Sequence, residues 1–185
     1  MCFPDLMKLS CSLFSSIRGD LNLTTKRILG VLDPIKVVLT NLPESHAESF
    51  DLPSFPPDVD GEGSRSVPFH REIWIERTDF AEDPPKGFRR LVPNGEVRLR
   101  GAYVIRCDEV LKDEDGMVTE LRCSVDRETQ GGGSPTGRKV RGTIQRVSVS
   151  DALDAEVRLF SALLTPLDDD AGRSGTIGTM CVMSA

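Results

Sequence analysis

Val67-Pro68-Phe69-His70-Arg71-Glu72-Ile73-Trp74-Ile75-Glu76-Arg77-Thr78-Asp79-Phe80 decides how this chain is read, together with Glu96-Val97-Arg98-Leu99-Arg100-Gly101-Ala102-Tyr103-Val104-Ile105. In both stretches apolar residues alternate with charged ones, the two-residue period of a strand with one buried face. Phe69, Ile73 and Ile75 are the candidate core residues of the first. Val97, Leu99, Tyr103 and Ile105 are those of the second. Glu96 to Cys107 reads as the best strand of the chain, once Gly101-Ala102 is allowed to act as a bend or bulge. Its outward positions are nearly all arginine. An arginine-faced strand in an acidic chain marks a local anion site, with RNA as the first candidate.

The acidity is plain: 185 residues carry a formal net charge of -6. That balance argues against general nucleic-acid coating. The charge is uneven, however. Between Lys86 and Arg106 stand Lys86, Arg89, Arg90, Arg98, Arg100 and Arg106 against the single acid Glu96. An acidic protein can still bind RNA selectively when its cations are gathered where the phosphates lie. The length suits one domain or two small ones. The cysteines at 2, 11, 107, 123 and 181 are odd in number, and none are spaced as C-x-x-C. Neither a disulfide framework nor a zinc site is indicated, and a reducing, cytoplasmic setting is expected. No apolar run reaches the roughly 20 residues that span a bilayer. Met1 to Phe14 lacks a basic n-region, so no signal peptide and no membrane partner are expected.

Leu6, Leu9, Leu13 and Ile17 have a loose helical spacing, which predicts one short N-terminal helix. Val31 to Leu39 reads as a turn and then a strand. Asn41 to Ser66, rich in Pro, Gly, Ser and acids, reads as a long loop with little regular structure. Pro68 to Glu76 reads as one strand. Pro84 and Pro85 force a turn. Asp113-Glu114-Asp115-Gly116 closes a hairpin whose return strand is Val118 to Val125. Gln130 to Gly137 is a Gly/Ser/Pro loop, Lys139 to Val149 a further strand, and Ala155 to Leu164 a strand or short helix. Short strands separated by turns predict a mainly β protein of barrel or sandwich type.

These stretches, in this order, resemble the anticodon-binding region of glutaminyl-tRNA synthetases. The resemblance includes Ser16-Ile17-Arg18-Gly19-Asp20-Leu21-Asn22, then Arg27 with Val31-Leu32-Asp33-Pro34-Ile35-Lys36-Val37-Val38. Val67 to Phe80 follows, then Arg90-Leu91, Val97-Arg98-Leu99-Arg100 and Gly137-Arg138-Lys139-Val140-Arg141-Gly142-Thr143-Ile144. Glutamyl-tRNA synthetases of the eukaryotic type share the architecture. The resemblance implies anticodon-binding β-barrels of the type found in a ribosomal protein that binds 5S rRNA, one of them incomplete, after a short N-terminal helix. It implies three regions. Residues 1–26 form a divergent segment with a remnant helix, 27–166 the anticodon-binding β-barrel region, and 167–185 an unmatched tail.

The resemblance also implies a partner, a tRNA reading glutamine codons, and no DNA. Arg27 matches an arginine at the middle anticodon base, Arg90 one that reads the third base, and Arg98 and Arg100 arginines at the first base and its phosphates. Asn22 matches an asparagine near the anticodon stem, and Arg89 is a candidate phosphate contact. Guanidinium suits these roles, because it donates two parallel hydrogen bonds and stacks on an unstacked base. On pattern alone, Arg98 and Arg100 would read as a solvated strand face. Arg71, Arg77 and Arg106 read as structural or solvent-facing. Where family members commonly carry a tryptophan after Ile144, Gln145-Arg146 stands here; either a core aromatic is lost or Arg146 faces solvent.

The family's ligase chemistry needs an ATP-binding fold with a His-x-Gly-His-like signature and a Lys/Ser loop. His46 and His70 stand in no such context. No catalytic residue, no metal ligand and no cofactor is therefore expected in this chain; ATP and Mg would belong to a catalytic domain, supplied elsewhere or by a separate polypeptide. Gly131 to Gly137 is not a P-loop, since Arg138-Lys139 follows the last glycine and the stretch lies between strands. Two other readings share these residues: a non-enzymatic RNA-binding barrel of the ribosomal-protein type, and a truncated ligase fragment without function.

Overall fold

The structure is a computed structural model that describes residues 15–25, 28–55, 63–132, 140, 142–158 and 177–183. Residues 15–24 form the helix α1. The stretch before it, Arg27 and most of the Gly/Ser/Pro loop lie outside the described residues.

Strands follow in the order β1 (Gly30–Val31), β2 (Pro34–Leu39), β3 (Ala47–Pro53), β4 (Ser64–His70), β5 (Glu72–Glu76) and β6 (Glu96–Leu99). Then come β7 (Val104–Lys112), β8 (Val118–Asp126), β9 (Thr143–Ile144), β10 (Val147–Ser148), β11 (Ala152–Arg158) and β12 (Ile177–Met183). Seven of them make one sheet in the order β10-β5-β2-β8-β7-β6-β9, which curls into a half-barrel. β1, β12 and β11 form a second sheet, and β3 and β4 a two-stranded ribbon. The fold is mainly β: a curled half-barrel sheet accompanied by a smaller, three-stranded sheet. The tail that resembles nothing in sequence contributes β12, which pairs with both β1 and β11.

β2 shows why the alternating stretches become strands. Ile35, Val37 and Leu39 are buried, while the positions between them are half-buried. Period two lets the strand feed the core and still pair on both sides, antiparallel with β5 and parallel with β8. Ile73, Ile75, Val97, Leu99, Ile105 and Leu121 complete the centre of the larger apolar cluster. A smaller cluster gathers Leu29, Val31, Leu52, Val67 and Val147, with the half-buried Trp74 packed against it. The β3–β4 ribbon joins the two, giving Phe50 and Phe69 to one and Leu52 and Val67 to the other.

Several sequence expectations need correction. Asn41 to Ser66 is not a loop throughout, because β3 lies within it and pairs over its whole length with β4, Phe50 opposite Val67. The buried Phe50 and Leu52 alternate with exposed polar residues, a pattern masked by the surrounding Pro and acids. Pro53 is tolerated at the end of a two-stranded ribbon, where no inner ladder bond is lost. Pro68 to Glu76 is broken at Arg71 into β4 and β5. Glu96 to Cys107 is not one bulged strand. It is a hairpin that turns at 100–102, with Val97 opposite Ile105 and Leu99 N–H donating to the Tyr103 carbonyl at 2.9 Å. Gly101 there has φ +68°, a left-handed conformation that glycine adopts without strain. Lys139 to Val149 is likewise two short strands, β9 and β10, interrupted at Gln145-Arg146. The Asp113–Gly116 turn is as read, with φ +78° at Gly116 and the Asp113 carboxylate accepting from Met117 N–H at 2.7 Å.

Arg146 does not face solvent; it is fully buried. Its guanidinium carbon lies 4.7 Å from the centre of the Phe69 ring, and Nη1 donates to the Pro68 carbonyl at 3.0 Å. The guanidinium thus packs over an aromatic face, a cation–π contact. Burial pushes its pKa down to about 10, and the nearby Glu48 carboxylate opposes that shift. Glu48 also accepts from Tyr103 Oη at 2.9 Å and Gln130 Nε2 at 3.2 Å, a polar network that runs from the core edge to the surface.

Candidate nucleic-acid interface

The end of β6 positions the site. β6 pairs in parallel with β9, Leu99 opposite Ile144. Arg98 N–H donates to the Gly142 carbonyl at 3.0 Å, and Arg100 N–H to the Ile144 carbonyl at 2.9 Å. These bonds hold residues 143–145 beside the Arg100 turn. A cleft of about 360 Å³ opens on each side of Arg100. The first is lined by Asn22, Leu52, Phe55, Arg65, Arg100 and Gln145, among others. The second is lined by Glu76, Asp79, Arg90, Arg100, Thr143 and Gln145, among others. Arg100 and Gln145 are the walls the two clefts share.

Each candidate residue has a distinct setting. Arg100 is exposed, and among the described residues no carboxylate lies within salt-bridge distance of it. Arg90 is half-exposed and pairs through Nη1 with Oδ1 of Asp79, whose side chain is only 6% exposed. Asp79 sits in the 3-10 turn Arg77–Asp79, and its carbonyl accepts from Leu91 N–H at 3.0 Å. Backbone and side-chain contacts thus tie the Arg90 segment to the end of β5. Arg98 leaves β6 on the outward side, but its Nη1 donates to the Thr129 carbonyl at 3.0 Å. It lines neither cleft. Arg89 is exposed and also lines neither cleft. Its carbonyl abuts Gly142, where a Cβ would come within 1.9 Å of the oxygen. Asn22, on α1, is half-buried and lines the first cleft. Arg27 lies outside the described residues. The structure therefore brings Asn22, Arg90 and Arg100 together around two adjoining clefts and directs Arg98 elsewhere.

The acids of the second cleft are already engaged. Glu76 accepts from Leu32 N–H at 2.8 Å and Asp33 N–H at 3.0 Å. Asp79 is matched by Arg90. Arg100 is left as the uncompensated cation, beside a neutral amide. Such a pair can hold an anion and hydrogen-bond a planar polar edge. Arg77 is structural, as its setting in sequence suggests: Nε meets Asp33 Oδ1 at 3.1 Å and Nη1 the Val118 carbonyl at 2.9 Å.

Residues 25–126 match the family described as tRNA synthetases class I (E and Q), anti-codon binding domain. The chain belongs to this family. As an anticodon-binding domain, it is similar to part of the glutamine–tRNA ligases of several bacteria. It is 50% identical over 161 residues to that of Xanthomonas axonopodis pv. citri (strain 306), a match covering 85% of this chain and 28% of the relative. It is 48% identical over 160 residues to that of Pseudomonas syringae pv. tomato, with coverage of 86% and 28%. It is 47% identical over 156 residues to that of Clostridium kluyveri, with coverage of 84% and 28%. The chain thus spans little more than a quarter of the length of these ligases.

Three residues of this anticodon-binding domain escape sequence reasoning. Asp79 stands inside the decisive stretch, but nothing in the alternation shows that it is buried against Arg90. Arg65 lies in what reads as a loop and emerges on β4 as a wall of the first cleft. Gln145 is visible only as a departure from an expected tryptophan position, and its place between the clefts is set by the β6–β9 pairing.

Proposed function

We propose that this chain recognises the anticodon loop of a tRNA reading glutamine codons, as a portion of a glutamine–tRNA ligase acting in the cytoplasm. The observation that carries the reading is the convergence of Arg90, Arg100 and Asn22 on adjoining clefts at the end of β6, in a chain of an anticodon-binding family. Unstacked bases suit such clefts, because their edges take hydrogen bonds while an arginine holds the adjoining phosphate. The names of the relatives favour glutamine over glutamate. Arg100 supplies the free positive charge, Arg90 a guanidinium oriented by Asp79, and Asn22 a polar wall. Arg89 and Arg98 lie on the flanking surface, where they add to the local potential. Formation of the aminoacyl-adenylate, with its ATP and Mg, falls to another part of the ligase.

The test is a titration of the chain with tRNA reading glutamine codons and with the same tRNA carrying a substituted anticodon. The cognate tRNA is expected to bind more tightly, and log affinity to fall with log salt by roughly 0.7 per contacted phosphate. Equal affinity for both tRNAs would sink the reading.

A further inference from the structure

Gln145 is pinned on both sides. Before it, Ile144 is buried in β9 and its carbonyl accepts from Arg100 N–H at 2.9 Å. After it, Arg146 is fully buried, anchored to the Pro68 carbonyl and stacked on Phe69. Between two buried neighbours the Gln145 side chain is exposed. Its flanking backbone is fixed by the core, so the position of its Cα costs little to organise on binding. The side chain lines both clefts beside Arg100. Among the described residues its amide has no hydrogen-bond partner. A primary amide presents a donor and an acceptor side by side, the pattern needed to pair with a base edge in a bidentate manner. Arg100 carries charge, which a phosphate satisfies whatever the base. Gln145 carries none, so its contribution depends on which donors and acceptors it meets.

We propose that Gln145 is a base-reading residue of this interface. Its amide hydrogen-bonds the edge of one unstacked anticodon base, whose phosphate lies against Arg100. The inference rests on the anticodon-loop reading above and adds a specificity residue to it.

The test titrates the wild-type chain and Gln145→Ala against four tRNAs: the cognate, and three in which one anticodon base is substituted. Thermal unfolding of Gln145→Ala should match wild type, since the side chain is exposed. Gln145→Ala is expected to weaken cognate binding by about 3- to 10-fold. The loss should vanish for the tRNA altered at the base Gln145 reads and persist for the other two. The slope of log affinity against log salt should be unchanged, because no cation has been removed. A Gln145→Ala chain that binds every tRNA as wild type does, or weakens all four by one factor, overturns the proposal while the anticodon reading stands. A wild-type chain that does not distinguish the four tRNAs overturns both.

Discussion

The guanidinium of Arg90 is paired with the carboxylate of Asp79, which is buried beneath it while Arg90 itself remains half-exposed. One side chain therefore serves the fold with one edge and faces a cleft with the other. Arg90→Ala should cost about 1–3 kcal/mol of stability, because it leaves a buried carboxylate without its cation. It should also weaken tRNA binding. Adding Asp79→Asn to Arg90→Ala should recover most of the stability and none of the affinity. Urea unfolding curves and tRNA titrations of the single and double variants separate the two roles.

The Arg100 side chain has no partner to lose among the described residues, and its backbone bond to Ile144 survives truncation. Arg100→Ala should leave stability within about 0.5 kcal/mol of wild type. Its effect should appear in binding instead. The slope of log affinity against log salt should become shallower by about 0.7, the amount expected when one phosphate contact to a single strand is lost. An unchanged slope would show that Arg100 touches no phosphate.

Gly142 lets β9 approach the Arg89 segment closely, since a Cβ there would sit 1.9 Å from a backbone oxygen. Backbone cannot yield as a flexible side chain does. Gly142→Ala should destabilise the chain by about 1–3 kcal/mol and push the Arg89 backbone away, moving the adjoining Arg90 out of the second cleft. Thermal unfolding should show the loss of stability. tRNA affinity should fall even at temperatures where the variant is fully folded.

Arg146 carries a buried charge with, among the described residues, one carbonyl hydrogen bond and the rings of Phe69 and Phe50 near its guanidinium. Its pKa of about 10 leaves it protonated at neutral pH, so the desolvation cost is present there. Replacing such a charge by an apolar side chain of similar volume is often neutral or stabilising. Arg146→Met should be at least as stable as wild type. Arg146→Ala should lose about 2–4 kcal/mol through the cavity it leaves. Calorimetric unfolding of the two variants gives the comparison directly.

The alternating stretches made the mainly β architecture legible. Ile73, Ile75, Val97, Leu99 and Ile105 are buried where the two-residue period puts them. The Asp113–Gly116 turn was legible for a local reason as well, because its glycine and aspartate act within four residues. β3 was hidden because its outward positions share the composition of a loop; only its ladder to β4 distinguishes it. Gly101-Ala102 reads equally as a bend or a bulge within one strand, because a bulge and a tight hairpin both use a left-handed glycine. Choosing between them requires knowing what lies opposite Val97.

The sequence by itself determined the strand-rich character, the family of the chain and the arginine concentration between residues 86 and 106. These depend on period and residue type, which are properties of short segments. Only the tertiary structure decided which arginines face a cleft. Arg98 and Arg100 are two positions apart and look equivalent in sequence, yet Arg98 lies in β6 and Arg100 in the turn that follows it. Arg98 meets the Thr129 carbonyl from a turn 31 residues away, whereas Arg100 reaches the end of the ladder and meets no acid among the described residues. Gln145 and Arg146 are both polar and adjacent in sequence, yet the chain passing between β9 and β10 turns Arg146 into the core and Gln145 into the clefts. The cause is the same in both pairs: long-range pairing fixes where each backbone segment lies, and that position decides whether a polar side chain is engaged by the fold or left facing a cleft.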